Sequence, residues 1–165
     1  MYLAKTLLSE LNQEAITTRK FLELVPEDKY DWKPHPKSMS LKHLAAHVAE
    51  LPGWTSMALT TDELDFENNP YTYPAVENNQ DLLAFFDLSL ANGRKELEKA
   101  TDADLLPVWT LRNGAHIISA DSRGEVIRMS LNQTTHHRAQ LGVYLRLLNV
   151  PIPGSYGPSA DEMGM

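Results

Sequence analysis

The sequence has no cysteine, which excludes disulfides, a thiolate metal site and a nucleophilic thiol supplied by the chain itself. It has no long apolar run either, and no stretch approaches the ~20 residues a helix needs to span a bilayer. Positive charge is sparse. Fifteen Lys and Arg stand against 22 Asp and Glu, for a net charge of −7, and the densest basic group is the pair Arg19-Lys20. Such a chain repels phosphate backbones, so nucleic acid is excluded as a general partner, as is a membrane-spanning role. No glycine-rich phosphate loop, G-x-S-x-G elbow or His-Glu-x-x-His motif is present. Met1 to Gln13 lacks the basic start, apolar centre and small-residue cleavage site of a signal peptide. The expected compartment is therefore the cytoplasm.

What remains is an ordinary globular composition, 42% hydrophobic over 165 residues. That length suits a single domain over residues 1–165 with a core that closes without a covalent or metal staple.

Four segments carry helical periodicity. The first runs from about Tyr2 to Val25, with Ala4, Leu8, Leu11, Ala15, Leu22 and Val25 along one stripe. The proline-punctuated stretch Tyr30 to Pro36 follows as a connection. Ser40 is placed to cap a second helix over about 40–60, with Leu41, Leu44, Ala45, Val48 and Leu51 as its apolar face. Pro52-Gly53 is expected to kink or interrupt it. Residues Thr61 to Asn79 hold an acidic run followed by Asn69-Pro70, Tyr73-Pro74 and Asn78-Asn79, which read as a long crossover. A third helix spans about 79–100, weakened in its middle by Gly93. Asn113-Gly114 between short apolar runs signals a small hairpin around Val108 to Ile118. The fourth helix covers about 124–149 and stops at Pro151, with Val126, Ile127, Thr134, His137, Leu141 and Leu145 on or near one stripe. Four long helices with one small insert give an all-α fold class, a four-helix bundle.

Six histidines are present, four of them in two groups. His43 and His47 are one turn apart on the second helix, with His47 read on the stripe of Leu44, Val48 and Leu51. His137 sits on the apolar stripe of the fourth helix, and His136 is rotated about 100° from it. Two helices aiming imidazoles inward at one level is how bundles build metal centres, and neutral imidazole suits Zn, Ni, Cu or Fe. Against this stands the ordinary case, in which an inward histidine is a hydrogen-bonded core residue. The spacing alone leaves both open.

The stretch Ser40-Leu-Lys-His43-Leu-Ala-Ala-His47-Val-Ala-Glu50-Leu-Pro-Gly-Trp54 resembles the first histidine motif of the DinB/YfiT superfamily. Asn132-Gln133-Thr-Thr-His136-His137-Arg138-Ala-Gln140-Leu141 resembles its second. Val143 to Arg146, then Pro151-Ile152-Pro153 to Glu162, is similar to the ending of a bacterial subgroup. The resemblance implies a DinB-like four-helix bundle with a long crossover between helices two and three, often a homodimer. It also implies a three-histidine metal site open to water or substrate. One ligand comes from the second helix and an i,i+4 pair from the fourth. His47 matches the first ligand and His137 the last, but the remaining position is Gln133, whose oxygen is a harder and weaker donor for late transition metals. Three outcomes stay open: ligation by His47, Gln133 and His137, recruitment of His43 or His136, or a site held by hydrogen bonds alone.

For function, the resemblance implies a metal-dependent hydrolase, or an S-transferase or isomerase using a low-molecular-weight thiol. The cofactor would be a divalent Ni, Zn or Fe, which lowers the pKa of a bound water or thiol. Without cysteine in the chain, the thiol arrives as cosubstrate beside a small-molecule substrate. The rival readings are a binding or stress-response module that has lost the chemistry, which Gln133 favours, and a structural dimer. Secondary candidates are Glu50, to orient a ligand imidazole or act as a base, and Arg138 and Gln140, to line the pocket or bond the C-terminal segment. Trp32 and Trp54 are candidates to roof the site. Asp161 and Glu162 lie in a tail that either folds back on the bundle or is exposed.

Overall fold

A computed structural model describes residues 2–72 and 74–165. The N-terminal methionine and the tyrosine of the expected Tyr73-Pro74 turn lie outside them. Helices α1 (Leu3–Leu22), α2 (Leu41–Thr60), α3 (Asn79–Lys99) and α4 (Arg123–Leu147) match the periodic segments to within a few residues. Both α1 and α2 pack on α3 and α4, while α1 and α2 touch little and stand diagonally across the bundle. The apolar stripes meet in one core built around Leu11, Leu22, Leu44, Phe86, Ile127 and Leu141.

The helix ends are set by side chains. The Ser40 hydroxyl accepts from the His43 amide at 3.2 Å, as expected of a cap. Ser122 and Glu125 form a reciprocal capping box at the start of α4. That helix ends in a Schellman motif, in which the Val150 amide donates to the Leu145 carbonyl and Asn149 donates to Arg146. Asn149 adopts φ 59°, which asparagine tolerates better than most residues. The helix therefore closes before Pro151 rather than at it.

The expected interruption of α2 does not occur: the helix runs through Pro52 to Thr60. Proline's φ is helical, and burial of Leu51, Pro52, Thr55 and Ala58 outweighs the one lost backbone bond. Gly93, read as a weak point, is what permits the packing. A Cβ at Gly93 would stand 2.4 Å from the Pro52 carbonyl oxygen, so only glycine lets α3 approach so closely.

The fold is not purely helical. A three-stranded sheet in the order β1-β2-β3 caps one end, with β1 (Glu63–Asp65), β2 (Val108–Asn113) and β3 (His116–Ser122). The hairpin turns at Gly114, which has φ +57°, but its second strand extends past Ile118 to Ser122. The crossover contributes β1, parallel to β2, where a plain loop was expected. Two carboxylates in three residues give β1 little strand propensity. Tertiary contacts hold it: buried Asp65 accepts from the amides of Gly114 (2.8 Å) and Glu67 (3.0 Å) and from the Asn68 side chain. These donors keep its carboxyl below the usual carboxylate range. Trp109 of β2 is buried and donates to the Thr61 hydroxyl, tying the sheet to the end of α2.

Candidate metal centre

The cap at Ser40 sets the register of α2, and two adjacent stripes follow. Leu41, Leu44, Val48 and Leu51 are buried in the core. His43, His47, Glu50, Trp54 and Met57, spaced alternately four and three residues apart, line a cavity of about 590 Å³. His47 thus belongs to a stripe of its own beside the apolar one, with Leu44 about 60° and Val48 about 100° around the helix from it. From α4, His137 reaches the same cavity, and Leu64, Phe66 and Tyr71 of the crossover close it with Met39. A buried bond from the Ser130 hydroxyl to the Leu51 carbonyl (2.7 Å) holds α2 and α4 together at this level.

The two imidazoles meet edge to face, with ring centroids 4.6 Å apart. Each has one nitrogen committed. His47 Nδ1 donates to Glu50 Oε1 at 2.6 Å, and His137 Nδ1 donates to Gln140 Oε1 at 2.7 Å. Both acceptors lie three residues beyond their histidine, so the helix itself supplies the spacing. With the proton fixed at Nδ1, the lone pair lies on Nε2, the tautomer and orientation that metal-ligating histidines take. Glu50 is itself held, accepting at Oε2 from the Tyr71 hydroxyl at 3.1 Å. Burial is the main cause that lowers the His137 pKa below 6.5. The bond to Gln140 opposes it, and the His47 and His136 charges add to the lowering. His137 is therefore neutral and able to ligate at neutral pH.

The other expected residues fall elsewhere. Gln133 is half-buried one turn before His137 and is not among the residues lining the cavity. His136 is exposed, its ring 4.8 Å from that of His137. His43 lines the cavity. Trp54 does as well, edge-on to His47 at 6.3 Å, whereas Trp32 packs against Tyr144 at 5.5 Å instead of roofing the site. Glu50 and Gln140 are not solvated or tail-bonding residues but the two orienting acceptors. Arg138 is buried and turns from the cavity toward α1. Its Nη1 donates to the Glu14 carbonyl and the Thr18 hydroxyl, and its Nη2 donates to Tyr156. The tail does fold back, with Asp161 paired to Arg146 and Glu162 accepting from the amides of Gly154 and Ser159. Sequence reasoning missed Met39, Met57, Leu64, Phe66 and Tyr71. Met57 was findable, since it continues the spacing of His43, His47, Glu50 and Trp54; the crossover residues carry no periodic signal.

Among the described residues, no three His, Cys, Asp or Glu side chains converge as a metal-holding cluster. The donor set nonetheless fits a divalent transition metal in part: two oriented imidazoles on facing helices, with further positions left to an amide oxygen, solvent or substrate.

A four-helix bundle with paired histidines between its second and fourth helices, facing a cavity roofed by the crossover, defines the class of protein. The chain belongs to the DinB family, whose profile it matches over residues 1–164. It is 22% identical over 153 residues to the uncharacterised protein YrdA of Bacillus subtilis, covering 90% of this chain and 85% of that one. Its fold is similar to that of YjoA, a DinB-like protein of Bacillus subtilis. The TM-score is 0.72 at 17% identity, covering 91% of this chain and 97% of that one. A mycothiol-dependent maleylpyruvate isomerase is also similar in fold, with TM-score 0.60 and 14% identity, covering 84% of this chain and 60% of that one.

Proposed function

We propose that the chain is a metal-dependent enzyme of the DinB class, a hydrolase or a low-molecular-weight-thiol S-transferase. It acts on a small molecule bound between α2 and α4, in the cytoplasm and as a homodimer. The observation that carries this reading is the matched pair of Nδ1 hydrogen bonds, Glu50 to His47 and Gln140 to His137. A core histidine needs only to be satisfied; these two are satisfied at one nitrogen each and oriented toward a shared cavity.

His47 and His137 would hold the metal, Ni, Zn or Fe, and Gln133, one turn before His137, would be the weak third donor. The chemistry supplied there would be Lewis-acid activation of a water or thiol at neutral pH. Glu50 keeps the proton on His47 Nδ1 and leaves the lone pair on Nε2. Tyr71, held on Glu50, closes the crossover side, and Trp54, Met57 and Phe66 keep bulk water from the reacting groups. The maleylpyruvate isomerase of similar fold is mycothiol-dependent by name, which supports the thiol branch. A thiol has to be supplied from outside, because this chain has no cysteine.

Elemental analysis of protein purified without added metal, followed by calorimetric titration with Ni and Zn, tests the reading. One metal per chain bound saturably, with proton release, is expected. Absence of saturable binding would sink it. It would favour the second reading, a metal-free binding module, which is motivated by the place of Gln133 outside the cavity lining.

A further inference from the structure

The cavity around His47 and His137 has a one-sided chemistry. Its walls are Met39, Trp54, Met57, Leu64 and Phe66, and its polar groups are three imidazoles, the Tyr71 hydroxyl and the Glu50 carboxylate. Among the described residues, no lysine or arginine lines it. Lys42, beside His43 in the chain, carries its ammonium over the Tyr30 ring at 5.9 Å instead.

Each charge type therefore meets a definite obstacle. A carboxylate or phosphate entering the metal-free cavity leaves water for apolar walls, finds no lysine or arginine, and faces Glu50. An ammonium finds only Glu50, whose two oxygens already accept from His47 and Tyr71; a salt bridge would have to displace one of them. An uncharged molecule incurs neither cost. It buries apolar surface against the thioethers and aromatic rings, and meets hydrogen-bonding groups at the imidazole end. The volume of about 590 Å³ lies within the range that encloses drug-sized ligands.

We propose that the part of the substrate filling this cavity is uncharged and largely apolar, with a hydrogen-bonding head against the imidazoles, and that the cavity's own side chains, without metal, disfavour free carboxylates and phosphates. The inference rests on the reading of this cavity as the active site, but not on the metal.

The test uses the full chain, stripped of metal and kept in chelator, at about pH 8, where imidazoles are neutral. Three probes of one shape are titrated by calorimetry: 1-naphthylmethanol, 1-naphthoate and 1-naphthylmethylamine. The alcohol is expected to bind at least ~10-fold tighter than either ion. Equal or tighter binding of the carboxylate or the amine overturns the proposal, and so does a failure of the alcohol to bind saturably. Met39→Lys then places an ammonium at the rim, on a side chain that is already 38% exposed, and should raise naphthoate affinity by ~10-fold. No gain would overturn the claim that a missing cation is what excludes anions. Because no metal is present, failure of the metal titration leaves this result standing, and failure here leaves the metal reading standing.

Discussion

His137 and Arg138 are neighbours on α4, about 100° apart around its axis, and the two directions lead to different kinds of site. Arg138 enters the core, where its side chain is 2% exposed and its Nη1 stands 2.6 Å from Glu14 Oε2. Both terminal nitrogens of its guanidinium are answered, Nη1 by α1 and Nη2 by the tail, and Tyr156, which Arg138 holds, donates in turn to Glu14 Oε1. His137 enters the cavity with only Nδ1 answered. A buried polar group whose partners come from other elements of the fold holds a structure together, and one left with a directed lone pair is available for chemistry. Leftover valence, more than burial or charge, separates the two regions.

The sharpest way to break this comparison is Arg138→Ala. It removes the cation while leaving Glu14 buried, and one partner lost from such a pair costs about 3–5 kcal/mol. Urea unfolding should show that loss, and the double variant Arg138→Met/Glu14→Gln should recover much of it. A loss below about 1 kcal/mol for Arg138→Ala would mean that the tail network holds nothing.

A smaller effect sharpens the other side. His137→Ala should abolish specific Ni or Zn binding, while His136→Ala should leave it nearly intact, because His136 is exposed beside the cavity rather than lining it. Gln133→His should tighten binding by at least ~10–100-fold if Gln133 occupies the third ligand position; losses of the groups that merely orient ligands are already of that size. Glu50→Ala should weaken binding by ~10–100-fold and Gln140→Ala by less, since an amide raises imidazole basicity less than a carboxylate does. Calorimetric titration of the set checks these together. If His136→Ala is the damaging change and Gln133→His does nothing, the ligand register on α4 is wrong.

The helices were legible because each repeats its apolar residues at the helical period, and the start of α2 because Ser40 caps it; Pro151 marked the end of α4 only to within a few residues. That His47 and His137 meet was legible through the resemblance; the face of His47 was not, since it was read on the apolar stripe and stands beside it. The bond of Arg138 to the C-terminal segment was one of two alternatives read for it, but its burial was not legible, because that depends on Glu14, which is 124 positions away, and nothing local announces that partner. The strand β1 was hidden for the same reason: Asp65 reads as part of a solvated acidic run until the hairpin brings the Gly114 amide to it. An interruption at Pro52 was allowed because the local rule for proline was applied without α3, whose Gly93 makes room for that turn. In each case a long-range contact overrode a local preference.

The smallest effect tests whether His137 is built to stay neutral. Burial lowers its pKa in the folded, metal-free chain below the ordinary value of 6.5. Below that pH the unfolded chain binds more protons at this position than the folded chain does, so stability should rise with pH through the window beneath 6.5 and level off above it. The ring is only half-buried, which holds the effect well under the ~1.4 kcal/mol of one full pKa unit. The carboxylates held low by their hydrogen bonds, such as Asp65 and Asp161, change stability in the same direction but only at more acidic pH. Comparing urea midpoints at about pH 5.5 and 7.5 therefore isolates histidines. His137→Gln should shrink the difference between the two midpoints. An unchanged difference would mean that folding does not disfavour the charged ring, and the contrast between an answered Arg138 and a half-answered His137 would lose its electrostatic support.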